Sequence, residues 1–510
     1  MTTVVNNENG RGRNITPKFG ENNKKLEVGK LLTDNKLERR YGPVMAACMV
    51  VGIVIGSGVF LKTRDVLRNT GGSVALGVLA WIIGGVVMLL CAYTFAGLAT
   101  RYERAGGVID YSEMLVGERY AYAFGWFLST VYYPSMASVV AWSAARYTLA
   151  LFGNGDSAGG LCISLAALYL VLSYAVNVLS PRIAGRLQVS TTVVKLVPLF
   201  VMAVVGTAIG ISRGGAADAL PMPDGAGTSG VFGAVVSAAF AYEGWIIATS
   251  INAEIRDSKR NLPRALLFGT LVIIFVYVFF FIGLSGAASV DELIEFGVTR
   301  AFTNLLGAAG GTILNAMIVV SCLGTLNGLM LASVRSMYAI AVRGRGPGTA
   351  AFAEVSRSSN MPVNSGVVGL LVCVLWFFYF YGANVAPGGS VFGPFTFDSS
   401  ELPIVTIYAM YIPIFVSLAA RARERGGLRG RLMPALAIVA SLFMVFAAVY
   451  AHGVLPYKAA ASEGRFALYQ FIYHIYYVSG YNTKQNLKSQ NCCNGFNSYR
   501  FRNKDRKHFI

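Results

Sequence analysis

Val50-Val51-Gly52-Ile53-Val54-Ile55-Gly56-Ser57-Gly58-Val59-Phe60 is apolar enough to lie in a bilayer, yet poorly suited to a continuous helix. The three small residues Gly56-Ser57-Gly58 stand in mid-span, and glycine costs about 1 kcal/mol relative to alanine in a helix interior. A break there frees backbone N–H and C=O groups that lipid cannot satisfy. Such groups are tolerated only where they face protein or a polar cavity. The alternative is that Gly52 and Gly56 form a small-xxx-small face for close helix packing. A second disturbed segment, Phe240-Ala241-Tyr242-Glu243-Gly244-Trp245, lies mid-span far downstream. A pair of interrupted spans in corresponding halves points to a binding site at the bilayer midplane.

The chain of 510 residues is 55% hydrophobic and only 13% charged, with a mean hydropathy of +0.55. Those values exclude an ordinary soluble domain and indicate an all-α integral membrane protein. The formal charge of +18 is spread between apolar runs, so it reflects membrane topology and not a nucleic-acid surface. The polar stretch before the first apolar run leaves no cleavable signal pattern, so that run itself serves as the insertion signal. Cys48, Cys91, Cys162, Cys322 and Cys373 are scattered singly and Cys492-Cys493 form a pair. None has the spacing of a metal site or a disulfide framework.

Runs long enough to cross about 30 Å of hydrocarbon begin near Pro43, Val74, Tyr120, Leu161, Leu187, Val231, Ala265, Thr312, Val363, Leu402, Leu432 and Arg465, about twelve spans. Residues 1–42 read as a cytoplasmic tail, with nine Lys/Arg from Arg11 to Arg40. Alternate loops carry the arginines: Arg101 and Arg104, Arg182 and Arg186, Arg256 to Arg264, Arg343 to Arg357, and Arg421 to Arg431. Opposite loops carry Asp218, Asp224, Asp291, Glu292, Glu295 and Asp398. The positive-inside rule then places both ends in the cytoplasm, and the plasma membrane is the expected location. Lys62, Arg64 and Arg68, in the first outer loop, do not fit that pattern.

Five spans per unit, 43–211 and 231–420, force the second unit to insert inverted, giving a five-plus-five inverted repeat with discontinuous helices 1 and 6. That makes 43–420 the transport core. Residues 432–480 add two further spans. From about Tyr469 the composition shifts toward Tyr, Ile, Asn and Lys, and 481–510 reads as a basic tail or a replaced end.

The order of motifs resembles the amino acid-polyamine-organocation superfamily, in its L-type amino-acid transporter and bacterial permease branch. The resemblance rests on Gly52 through Phe60, on Ala241-Tyr242-Glu243-Gly244-Trp245 with the following Asn252 to Arg264, and on Leu326-Asn327-Gly328 through Arg335 and Tyr338-Ala339. It covers roughly residues 40 to 450 and implies a secondary transporter of amino acids. It also makes Phe240 a gate over the substrate, and Lys195 a stand-in for the sodium of sodium-coupled relatives or a proton carrier.

The residues themselves agree with that chemistry. The N–H groups of Ser57, Gly58 and Val59, at a fresh helix N-terminus beside Gly56, can receive a carboxylate. Carbonyls freed near Ile53 and Ile55, with those of Phe240 and Ala241, can accept hydrogen bonds from an ammonium group. Glu243, a carboxylate at the centre of an apolar span, is functional by default. It is expected to favour cationic or polar side chains, the alternative being a structural partner such as a lysine or a water. Lys195 has snorkelling to the cytoplasmic face as its alternative. Asn327 is either a substrate or coupling residue or an interhelical hydrogen bond. Tyr132 and Tyr133 precede Pro134 where relatives place substrate contacts, although span aromatics are more often packing or interfacial anchors. Asn261-Leu262-Pro263 reads as a helix start.

Gly153-Asn154-Gly155-Asp156 resembles an intramembrane aspartyl protease string, but no second Asp in a neighbouring span completes a dyad. Three histidines, His452, His474 and His508, supply neither a metal cluster nor a triad. No enzyme activity and no cofactor are expected. Without a P-loop, the energy comes from exchange or an ion gradient, protons included. The rival readings are a polyamine or amine permease, and an amino-acid-binding membrane sensor without net transport. The amino acid carried and any accessory subunit are not encoded in a recognisable motif.

Overall fold

A computed structural model describes residues 41–100, 106–154, 159–212, 229–250, 252, 255–386, 391–392, 396–425 and 428–454. Both tails and the span expected from Arg465 lie outside the described residues, as do Gly155 and Asp156. Ten of the described helices are long and apolar enough to cross a membrane. The third expected span lies beside those ten as a helix from Glu118–Phe127 (α5), through a π-helical turn Leu128–Tyr132, to Tyr133–Leu151 (α6). The turn has a local cause. Pro134 lacks an N–H, which leaves the carbonyl of Thr130 without its helical donor, and the indole Nε1 of Trp376 donates to that carbonyl at 2.6 Å.

The first span is two helices. Pro43–Val54 (α1) ends where Ile55-Gly56-Ser57 leave helical geometry, and Gly58–Asn69 (α2) begins again on the far side. Val74–Ala99 (α3) follows, its first turn capped by the Ser73 hydroxyl accepting from Leu76 N at 3.3 Å. The short Val108–Leu115 (α4) precedes α5. Gly160–Leu179 (α7) and Pro181–Val201 (α8) come next, α8 continuing through a π-helical turn into Thr207–Ser212 (α9). The sixth span is again broken, into Ser229–Tyr242 (α10) and Ile247–Ser250 (α11). Ser258–Ala287 (α12), Val290–Phe296 (α13), Val298–Ala341 (α14), Thr349–Ala353 (α15), Val363–Asn384 (α16), Leu402–Arg425 (α17) and Leu428–Val449 (α18) complete the described chain. α14 bends at Gly307, whose φ of 72° is outside the helical region.

Burial sorts these helices into centre and rim. The most apolar windows of the first span, the sixth span and α14 are 78%, 83% and 83% buried, against 28% for α7 and 33% for α16. The rim helices turn Leu168, Leu172, Leu371, Leu375 and Phe378 outward, as lipid-facing positions require. The broken pair is therefore at the middle of the bundle. α2 lies along α10, α12 packs on α3 and α1, and α14 on α6, α8 and α16.

Three boundaries differ from the sequence expectation. α8 begins at Pro181, not Leu187, because Pro181 sits in its first turn and starts the helix before its apolar run does. Arg182 and Arg186 thus stand on a helix and not in a loop. α12 begins at Ser258, not near Asn261 or Ala265; Asn261 Nδ2 donates back to Arg256 O at 2.6 Å and Pro263 falls inside the helix. The supposed first outer loop is α2, and its Lys62 is buried.

Candidate functional site

The two breaks face each other. Gly58 approaches the α10 backbone so closely that a Cβ there would lie 2.6 Å from Ala241 Cα. Gly244, with φ of +104°, occupies backbone space that only glycine enters freely, and a Cβ on it would meet Ile53 Cγ2 at 2.8 Å. The Tyr277 hydroxyl of α12 lies 3.1 Å from both Val54 O and Ala241 O, carbonyls of the last turn before each break. One hydroxyl proton serves one carbonyl at a time. The same side chain therefore touches both ruptured ends.

The other freed carbonyls are met by α14. Ser321 Oγ lies 3.4 Å from Ile55 O and 3.2 Å from Gly56 O. Thr325 Oγ1 lies 3.4, 3.2 and 3.4 Å from Gly52 O, Ile53 O and Ile55 O. Even with the Lys195 ammonium on Gly52 O, two hydroxyl protons cannot satisfy the Ile53, Ile55 and Gly56 carbonyls together, so acceptor capacity is left over among these three. Phe240 O already receives Glu243 N at 3.3 Å. On the opposite side, the first-turn N–H groups at Ser57, Gly58 and Val59 are those a helix start leaves over. Ser57 Oγ is buried, with the Cys322 thiol beside it.

Lys195 of α8 is fully buried, so it does not snorkel. Its ammonium donates to Gly52 O and lies 3.4 Å from Thr325 Oγ1, joining α1, α8 and α14 behind the first break. The close-packing alternative for the glycines is also realised: Cβ atoms on Gly52 and Gly56 would collide with Thr192 and Thr325. Breaking and close packing therefore coexist in the first span.

Glu243 is 3% exposed. Its Oε2 accepts from Tyr132 OH at 2.6 Å and from Gly244 N at 3.4 Å, with Tyr408 and Tyr411 of α17 beside it. The partner is thus a tyrosine and not a lysine, and it is one of the two tyrosines before Pro134. Asn327 stands apart from the breaks. Its Oδ1 accepts from Asn177 at 3.0 Å and its Nδ2 donates to Ala184 O at 3.1 Å and Gln188 Oε1 at 3.3 Å. The amide is taken up in joining α14 to α7 and α8.

The Lys62 ammonium of α2 lies 5.4 Å from the ring centre of Phe240. Lys62 lies 2.8 Å from Glu401 Oε1, 3.4 Å from Asp65 and 3.9 Å from Asp398. His452 Nε2 is 2.6 Å from Glu401 Oε2, and Ser237 Oγ donates to Glu401 Oε1 at 3.2 Å. Burial opposes charge on Glu401, yet Lys62 and His452 outweigh it and hold the carboxyl down to about 2. Sequence reasoning missed this network because it placed Lys62 in a loop. The signal was present: continued as a helix, Val59, Lys62, Thr63 and Val66 share one buried stripe. Tyr277, Ser321 and Thr325 were missed as well, since hydroxyls on unbroken helices carry no local mark.

Residues 41–476 match the family described as amino acid permease. The chain belongs to the amino acid permease family. The permease is 28% identical to the serine/threonine exchanger SteT of Bacillus subtilis (strain 168) over 425 residues, 81% of this chain and 91% of that one. It is 30% identical to the large neutral amino acids transporter small subunit 2 of Homo sapiens over 369 residues, 70% of this chain and 68% of that one. With the b(0,+)-type amino acid transporter 1 of Mus musculus the identity is 26%, over 76% and 82% of the two chains. The crystal structure of MhsT in complex with L-phenylalanine superposes with a TM-score of 0.53 at 16% identity, over 82% of the permease and 99% of MhsT. At that identity the likeness carries the fold alone, and the fold is the inverted-repeat transporter fold expected from the two broken spans.

Proposed function

We propose that this permease moves amino acids across the plasma membrane by alternating access, with both termini in the cytoplasm. The observation that carries the site is the pairing of the two breaks through Tyr277. It supports a site in which the N–H donors at the start of α2 and the carbonyls ending α1 and α10 serve one substrate. A zwitterion fits that polarity: carboxylate at Ser57, Gly58 and Val59, ammonium toward Ile53, Ile55 and Ala241. The transport core is 43–420, as two inverted units of 43–211 and 231–420, and the segment 432–480 is additional.

Glu243, hydrogen-bonded to Tyr132, biases the side-chain end of the site toward cationic or polar substrates. Lys195 couples the inner half of α1 to α8 and α14 and is the group through which exchange or proton coupling acts. Phe240, under Lys62, is the lid on the α2 side. A carbonyl-only grip would serve a polyamine equally well, but it would leave the α2 N-terminus without an anion. Relatives named as large neutral amino acids transporter small subunits raise a partner subunit as a further proposal, tested by co-purification.

The deciding experiment is reconstitution of the purified permease into liposomes with a labelled amino-acid panel, comparing preloaded internal substrate with an imposed pH gradient. Uptake competed by an α-amino acid and not by its decarboxylated amine is the expected result. Competition by both alike supports the amine permease, and binding without uptake or exchange supports a sensor.

A further inference from the structure

Away from the breaks, the entry to α1, the first turns of α8 and the segment leading into α12 line an open groove of about 740 Å³. Tyr41 and Met45 line one wall, Arg182, Arg186 and Ser190 another, and Arg256 the third. Among the described residues lining it there is no Asp or Glu. The walls are fixed to each other, since Arg256 N donates to Tyr41 O at 2.8 Å. The three arginines are exposed, and guanidinium groups are the side chains best shaped for bidentate contact with phosphate oxygens.

The floor of the groove separates a lipid from a free anion. Along α8, Arg182, Arg186, Val189, Val193 and Val197 follow one another at steps of three or four residues and so share a face. Val193 and Val197 are 61% and 45% exposed. From Arg186 to Val197 the helix rises about 16 Å, roughly the depth of one hydrocarbon leaflet. The forty residues before Tyr41 carry nine Lys/Arg against five Asp/Glu, so charge disfavours that segment as the occupant.

We propose that this groove is a binding site for an anionic phospholipid of the phosphatidylglycerol type. The phosphodiester sits on Arg182, Arg186 and Arg256, and an acyl chain runs along the Val189–Val193–Val197 face. Basic pockets between transmembrane helices at the cytoplasmic side are suited to such headgroups; that this end faces the cytoplasm rests on the orientation proposed above, whereas lipid binding itself does not. The bound lipid touches Tyr41 and Met45, so it braces the inner end of the helix that carries the first break.

The test uses the full-length protein, purified in detergent and offered phosphatidylglycerol and phosphatidylcholine at equal mole fraction, with retained lipid counted by native mass spectrometry. Wild type retains one phosphatidylglycerol in preference to phosphatidylcholine. R182Q/R186Q lowers that retention about tenfold or more, R182K/R186K keeps part of it, and R357Q, at an exposed arginine outside the groove, leaves it unchanged. Melting curves show whether each variant is folded, and R256Q is the substitute if the double variant is not. Equal retention of the two lipids, wild-type retention by folded R182Q/R186Q or R256Q, or displacement by millimolar inorganic phosphate overturns the proposal. Transport assays are not needed for any arm, so failure here leaves the transport reading intact.

Discussion

Glu243 and Tyr277 show how far single side chains decide what the site can do. Tyr277→Phe removes one hydroxyl and leaves the Val54 and Ala241 carbonyls without it. A buried acceptor stripped of its donor costs about 1–3 kcal/mol, so melting temperature falls and uptake drops, both measurable on the purified variant. Unchanged melting and uptake would mean the hydroxyl bridges nothing that matters. Glu243→Gln keeps the volume and an oxygen for Tyr132 while deleting the charge, so folding is preserved. If the carboxylate reads the substrate side chain, the lysine-to-leucine uptake ratio falls about tenfold or more, since a hydrogen bond to a charged group contributes about 1.5–3 kcal/mol. A ratio equal to wild type would leave Glu243 with Tyr132 as a structural pair only.

Helix breaks are elements legible from residue type, and their partners are not. Gly56-Ser57-Gly58 and Glu243-Gly244 announce the ruptures because glycine weakens helices wherever it stands. Tyr277, Ser321 and Thr325 reach the freed carbonyls from positions 36 to 273 residues away in sequence, where nothing local distinguishes them from packing residues. Lys62 was hidden for another reason: charge suggested a loop, whereas the helix continues and buries it against Glu401. The α2–α10 contact yields a test at this scale. Gly58→Ala drives a methyl into the Ala241 backbone and should abolish uptake, while Gly97→Ala, with open space around it, should not. Lys62 with Glu401 yields another. Removing one partner of a buried pair costs about 3–5 kcal/mol, but replacing both by apolar residues is near neutral. E401L alone should therefore unfold at lower temperature than K62M/E401L. Because the Glu401 carboxyl is depressed when folded, the pair's stabilisation is complete above the unfolded value of about 4 and is lost as pH falls toward about 2. The double variant should lose that extra acid sensitivity.

For the molecule to work as an alternating-access carrier, a route to the breaks must open, and here the α2 side is shut. Ser57 is 1% exposed and Phe240 5%, and beside Phe240 the Lys62–Glu401–His452 contacts join α2, the residue before α17 and the π-helical turn Tyr450–Val454 that follows α18. Substrate entering from that side must separate α2 from α17. The rim helices α7 and α16 need not move with them, since most of their surface faces outward. A bifunctional thiol reagent joining cysteines at 62 and 401, in a background where Cys492 and Cys493 are replaced, should stop uptake, and cleaving the linker should restore it. The variant's uptake before linking gives the reference, so loss from the substitutions is distinguished from loss by linking. Full uptake after quantitative linking would place the moving boundary elsewhere, because a carrier whose α2–α17 seam stays closed through the cycle must admit its substrate by another seam.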